Sequence, residues 1–450
     1  MRFDLLLRGG TLVTPSGVAV GDVGVHQGRI VDLGRLDPAA ADQVVDCQGL
    51  HVLPGLIDTQ VHFREPGLEH KEDLGTGTAA AALGGITAVF EMPNTKPNTD
   101  TAERLADKVR RGTEKAWTDF AFFVGATNEN ATELGTLERL PGCAGVKVFM
   151  GSSTGNLLVE DDERIADVLA HGFRRVAIHA EDEMRLRERR HLVDGENATA
   201  HLHPVWRDEE TALRATQRIL KLARRHGRRV HVLHVTTDAE AALLARHKDV
   251  ATMEVLPQHL VMHAPDCYDR LGPYAQMNPP IREQRHQKAL WEAIRLGVVD
   301  VLGSDHAPHT REEKDAGYPK SPSGLPGVQT TVPLMLNAVN EGKLSLERLV
   351  DLLAHGPQRI YGIAAKGRLT VGYDADFTIV DLKREHVITD EEQGSRVGWT
   401  PFAGWKVKGW PVRTIVRGRS VMIDGQLQGA PGGRAVRFVE TLQPVEGELG

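Results

Sequence analysis

Between about residue 55 and residue 303 the chain alternates short apolar runs with longer amphipathic stretches, a rhythm that predicts repeated strand and helix units around a parallel sheet. The runs place strands at residues 55–62, 86–92, 120–124, 145–149, 176–179, 230–234, 251–255 and 299–303, with helices at 102–115, 211–226 and 238–246. Eight strands in series, none followed by Gly-x-Gly-x-x-Gly, favour an α/β fold of the TIM-type (β/α)8 barrel over an open doubly wound sheet. Both chain ends read differently. Short strands with Gly and Pro between them are expected at 4–8, 10–13, 21–25 and 29–32, and again at 376–381, 405–408 and 412–417.

Composition narrows the class. With 450 residues, 41% apolar and 26% charged, and no apolar run near the roughly 18 residues of a membrane span, the chain reads as a soluble globular protein of one large and one small domain. Its opening, Met-Arg-Phe-Asp-Leu-Leu-Leu-Arg, is too short in apolar residues for a signal peptide, so a cytoplasmic location is the expectation. A net charge of -7 without a basic stripe argues against nucleic acid as a partner. Cys47, Cys143 and Cys267 stand singly, which fits neither a disulfide framework nor a Cys-x-x-Cys metal site, and they are expected to be buried fillers.

Candidate chemistry lies at strand ends, where barrels of this type carry it. Gln60, His62 and Arg64 are two apart and face one side of the first strand, placing an imidazole beside a guanidinium. His179 and His234 end the fifth and sixth apolar runs, and Asp305, in Gly303-Ser-Asp-His-Ala-Pro-His309, follows the eighth. Each histidine alone reads as a core residue; together with Asp305 they form a Zn-type ligand set. His231 and His306 compete with their neighbours and are second choices because strand alternation turns them the other way. Lys147 interrupts an apolar run and is either snorkelling or paired, or else a buried neutral amine.

The segment Gly55-Leu-Ile-Asp-Thr-Gln-Val-His62-Phe-Arg64 resembles the first-strand motif Asp-x-His-x-His-x-Arg of the amidohydrolase superfamily, in its dihydroorotase form. Gln60 stands where the first metal-binding histidine belongs. The resemblance extends through Glu91-Met-Pro-Asn-Thr-Lys-Pro97, Lys147-Val-Phe-Met150, Met277-Asn-Pro-Pro-Ile-Arg282, Gly303 to His309 and Ser321-Pro-Ser-Gly-Leu-Pro-Gly327. It implies a barrel at 55–364 and a small β-sandwich formed by both ends, 1–54 and 365–450.

By the same resemblance, Lys147 is carboxylated and bridges two zinc ions. One ion is held by the first-strand pair with Asp305, the other by His179 and His234. A glutamine carbonyl is a poorer zinc partner than imidazole, so Gln60 leaves one or two zinc ions per chain. Arg64, Asn94 and His309 are implied to hold a substrate carboxylate, and Asn278 to approach a pyrimidine ring. Asp305 serves as general acid and base in the reversible cyclisation of N-carbamoyl-L-aspartate to L-dihydroorotate. Two alternatives stay open: another cyclic amide such as hydantoin or allantoin, or a noncatalytic partner of aspartate transcarbamoylase, to which Gln60 points. A homo-oligomer is expected on base rates. The loop Gly151-Ser-Ser-Thr-Gly155 is an ordinary connection or a substrate contact, and 191–206, with His201, His203 and Pro204, is a lid or a surface excursion.

Overall fold

The computed structural model describes residues 2–151, 155–195 and 197–442; Ser152, Ser153 and Thr154 of the loop singled out above lie outside them. Eight parallel strands run in sequence order: Leu56–Val61, Ile86–Glu91, Asp119–Gly125, Cys143–Phe149, Val176–His179, Val230–Val232, Ala251–Val255 and Val301–Leu302. The eighth closes on the first beyond its own end, through a parallel bridge between Val61 and His306 and a 2.7 Å hydrogen bond from His62 N–H to the His306 carbonyl. Every residue of these strands is buried. Strands covered on both faces are written as apolar runs instead of alternating patterns, which is why they stand out in the sequence.

The strand ends differ from expectation for local reasons. The sixth strand stops at Val232, short of His234, because His234 takes a φ of 38° and an extended strand cannot run through that conformation. The eighth shrinks to Val301–Leu302, and Gly303 then passes Glu254 so closely that a Cβ there would lie 2.7 Å from the Glu254 Oε2. Helix Ala102–Lys115 has the expected bounds. Helix Glu209–His226 begins before the expected residue 211, since Asp208 caps it by accepting from Thr211 N–H at 3.0 Å. Helix Asp238–Ala245 ends one residue before 246.

The two chain ends build a single nine-stranded sheet. His51–Pro54, from the N-terminal part, pairs antiparallel with Phe377–Val387, aligning Pro54 with Phe377 and His51 with Val380. Expected breaks are absorbed as irregularities: Phe3–Thr14 is continuous across Gly9 and Gly10, and Lys406–Val416 across Pro411. Leu5, Leu7, Val23, Val25, Ile30, Phe377 and Ile415 form the sheet's own core. Cys47, Cys143 and Cys267 are buried and unpaired. No helix among the described residues is long and apolar enough to cross a membrane.

Sheet and barrel are joined by a buried charge cluster. Lys366 Nζ lies 2.5 Å from Asp119, which opens the third barrel strand, 2.5 Å from Asp376 and 3.1 Å from Asp374. Burial alone would discharge this amine, but the three carboxylates outweigh it and raise its pKa above the ordinary 10.5. Arg417 pairs with Asp119 from the other side. Substituting Lys366→Met leaves Asp376 without its ion-pair partner and three buried carboxylates with only Arg417 and Arg29 to answer them, and is expected to lower unfolding stability by about 3–5 kcal/mol. Urea denaturation reads this directly, and a loss under about 1 kcal/mol, the range of a surface pair, rules the role out.

Candidate active site

At the carboxyl ends of the strands Gln60, His62, Arg64, Asn94, Lys147, Phe149, His179, His234, Asn278 and Asp305 line a cavity of about 90 Å³. That is small against the roughly 300–1,000 Å³ of common ligand pockets and suits a compact ligand. Three of these residues hold backbone that non-glycine residues rarely adopt: Arg64 at φ 67°, His234 at 38° and Asp305 at 44°. Such conformations cost on the order of 1–3 kcal/mol each and persist only where neighbours impose them. Glu254 accepts from His234 N–H at 3.3 Å, and Pro308 O accepts from Arg64 Nε at 3.2 Å. Beside Asp305, Ser304 N–H donates to Asp58 and His306 N–H to Ser304 Oγ, each at 3.1 Å.

Two pairs of donor atoms face each other in the cavity. His179 Nδ1 and His234 Nε2 are 3.0 Å apart. Two nitrogens bound to one zinc at tetrahedral angles stand about 3.3 Å apart, so the pair is already spaced for a shared cation. Burial lowers both imidazole pKa values, keeping the rings neutral and their lone pairs available. Opposite them, His62 Nε2 lies 3.1 Å from Asp305 Oδ1 while its Nδ1 meets Asn94 Oδ1 at 2.8 Å. If Asn94 takes the ring proton, a lone pair faces a carboxylate, an arrangement that needs a cation between them. Burial opposes ionisation of Asp305, but its contact with His62, and behind it His234 and Lys147, outweighs burial and holds the carboxyl well below its usual range.

Lys147 stands between the pairs. Burial pushes its amine down from 10.5 to about 7, against the pull of Asp305 and Glu254, and its charge is felt by His62, His179 and His234. Among the described residues its Nζ has no hydrogen-bond or ion-pair partner, only the Phe149 ring 4.6 Å away. Gln60 Oε1 is likewise buried without a partner. Three imidazoles, a carboxylate, an unpartnered amide oxygen and a bare amine on one cavity fit a divalent cation. Among the described residues two groups, neither of them in this cavity, bring three ligand atoms within 4.8 Å of one another, Asp119 with Asp374 and Asp376, and Glu209 with Asp238 and His286. Lys366 already occupies the first, and Arg285 spans the carboxylates of the second.

The substrate side is cationic. Arg64, buried, has its Nη2 3.2 Å from His309 Nε2, and Lys71 Nζ donates to His309 Nδ1 at 3.1 Å. His309 therefore carries its proton on Nε2, where Ser323 O accepts at 3.0 Å; it stands behind Arg64, outside the cavity lining. Asn278 Oδ1 accepts from His203 Nε2 at 3.0 Å, so His203, fully buried, reaches the residue that lines the cavity, while His201 sits at the surface near Asp269. The second-choice histidines turn elsewhere: His231 Nδ1 meets Thr252 Oγ1 at 2.7 Å, and His306 Nε2 meets Glu72 at 3.2 Å.

Sequence reasoning missed Glu181, Arg207, Lys71 and Glu254. Glu181 lies two residues beyond His179, a spacing that would have flagged it as a support for the ring. Arg207 and Lys71 arrive from distant segments with no local signal. Glu254 looked like an ordinary strand residue, yet burial pushes it up to about 8.

Residues 51–421 match the Amidohydrolase family. The chain is 36% identical over 414 residues to the dihydroorotase of Methanothermobacter thermautotrophicus, covering 90% of this chain and 92% of that protein. It is 35% identical over 451 residues to an allantoinase of Deinococcus radiodurans, covering 97% and 99%. The L-hydantoinase (dihydropyrimidinase) of Arthrobacter aurescens superposes with a TM-score of 0.92 at 30% identity, covering 96% of this chain and 99% of that one.

Because Lys147 is held at about 7 when folded and near 10.5 when unfolded, folding releases a proton between those values. Its burial therefore costs stability below about pH 10.5, increasingly so down to about pH 7, where the cost levels off. Lys147→Met is expected to stabilise the metal-free protein at pH 7 by roughly 1–3 kcal/mol while abolishing activity. Thermal melts with chelator at pH 7 and pH 10 check this, and a destabilised variant at pH 7 contradicts it.

Proposed function

The chain belongs to the amidohydrolase family, and we propose that it is a dihydroorotase, interconverting N-carbamoyl-L-aspartate and L-dihydroorotate. The observation that carries this reading is Arg64 in the cavity, 3.2 Å from His309 and beside Asn94, forming a cationic wall next to the candidate metal ligands. Dihydroorotate carries a carboxylate on the same ring as its reacting amide, whereas the hydantoin and allantoin rings carry none, and a buried guanidinium is matched to a carboxylate.

His179 and His234 would hold one zinc, and His62 with Asp305 a second, with Lys147, carboxylated on its neutral amine, between them. A bound divalent cation supplies Lewis acidity, polarising the ring carbonyl and lowering the pKa of a water. In ring opening, Asp305, kept ionised, takes the proton of the attacking water and returns it to the departing ring nitrogen. In ring closure it takes the proton of the ureido nitrogen, which attacks the side-chain carboxyl carbon, and passes it to the carboxyl oxygen that departs as water. Asn94 supports this geometry twice: its Oδ1 orients His62, and its Nδ2 is left to donate to the substrate carboxylate. Arg64 anchors that carboxylate in its fork, and His309 keeps the guanidinium backed by a neutral ring, its own pKa pushed down to about 3 by burial and by Arg64. Asn278, braced by His203, contacts the ring. Because Gln60 offers a neutral oxygen, a zinc beside it would be weakly held. A noncatalytic partner of aspartate transcarbamoylase would have no use for the assembled donors and the cationic wall.

Turnover of dihydroorotate, hydantoin and allantoin by the purified protein tests the reading. Dihydroorotate is expected to be hydrolysed best, Arg64→Met to raise its KM at least tenfold, and Asp305→Asn to cut kcat by about 10²–10⁴ without unfolding. Brisk hydantoin hydrolysis with no dihydroorotate turnover overturns the assignment. Metal analysis after preparation without chelator is expected to find about one tightly held zinc per chain, and two equally tight ions would refute the weakness assigned to the Gln60 side.

A further inference from the structure

Glu181 does not line the cavity. It is fully buried, two residues past His179, and its Oε2 accepts from His179 Nε2–H at 2.8 Å. Both of its oxygens also accept from Arg207, Oε1 from Nε at 3.0 Å and Oε2 from Nη2 at 2.6 Å. Arg207 is buried as well, at the end of the excursion whose His203 braces Asn278, and its carbonyl accepts from Arg282 at 2.9 Å. We propose that Glu181 and Arg207 are positioning residues that fix the tautomer of His179 and thereby set how tightly this side of the site grips its metal. The inference rests on His179 being a ligand, as in the proposed function.

A neutral imidazole has one ring proton. With a carboxylate accepting at Nε2, that proton is committed, and Nδ1 must carry the lone pair aimed toward His234. Lacking such a partner, the ring is free to place its proton on Nδ1, where it blocks a metal. Arg207 donates to both oxygens of Glu181, so the carboxylate that accepts the ring proton is itself charge-paired and held in place. A carboxylate behind the ring also strengthens the nitrogen in front as a donor. The other pair differs: His62 is backed by Asn94, a neutral amide, and flanked by Gln60. The two halves of the cavity are thus supported unequally, an anion behind His179 and none behind His62.

The test compares wild type with Glu181→Gln, Arg207→Met, Arg207→Lys and His179→Ala. Zinc dissociation constants come from competition with a chromophoric chelator, and the visible spectrum of the cobalt-substituted protein reports the ligand field. Glu181→Gln and Arg207→Met are expected to weaken the tight zinc about 10–100-fold and shift the cobalt spectrum, with Arg207→Lys recovering part of the loss. Wild-type affinity and spectrum in Glu181→Gln and Arg207→Lys, with metal lost in His179→Ala, overturn the positioning role alone. Wild-type affinity in His179→Ala overturns the ligand assignment itself. Should Arg207→Met fail to fold, Glu181→Gln and Arg207→Lys still decide the question.

Discussion

Four lysines among the described residues are buried, and in a medium that cannot solvate an ammonium each needs an answering group. Lys108 pairs with Glu91, Lys366 sits among three aspartates, and Lys314 donates to the carbonyls of Pro322 and Gly324 at 2.9 and 3.0 Å. Lys147 alone of the four has no such partner. That desolvation is the constraint on which the mouth of the barrel depends. It keeps the amine near neutrality, leaves the imidazoles uncharged around it, and leaves the guanidinium of Arg64 as the cation of the cavity wall. A bare buried amine costs stability, and functional centres commonly carry such costs against the rest of a fold.

The same dryness explains how the rim is held. The left-handed backbone at Arg64, His234 and Asp305 turns each chain out of its strand and aims the side chain across the opening. Closure through Val61 and His306 draws the first strand and the segment after the eighth together, so His62 and Asp305 meet although they are far apart in the chain. Around them the buried pair of Glu181 with Arg207 holds the loops in place, and at the other end of the barrel Glu138 with Arg228 does the same before the fourth and sixth strands.

Much of this was legible in the sequence because doubly covered strands leave apolar runs and because histidines at the ends of such runs are conspicuous. Strand ends were less legible. They are decided by single conformations, as at His234, and by close approaches, as at Gly303, which carry no pattern of their own. The chain-end strands merged across Gly9, Gly10 and Pro411 because an irregularity in pairing can carry residues that otherwise signal a break. The candidate site separated in a similar way. Residues facing the cavity were visible from their spacing, while their supports, Arg207, Lys71 and His203, come from segments whose approach only tertiary packing creates.

The pairing of His51–Pro54 with Phe377–Val387 has a consequence for how the molecule comes into being. The first strands emerge from the ribosome long before their partners, and the whole barrel must be made before the last ones arrive. At about 5–20 residues per second, the intervening stretch takes on the order of half a minute. During synthesis the N-terminal strands therefore carry an unpaired edge at His51–Pro54 while the barrel is being made. The last strands to be made, Phe377–Val387 first among them, cover that edge, and Lys366 pins the finished sheet to the barrel.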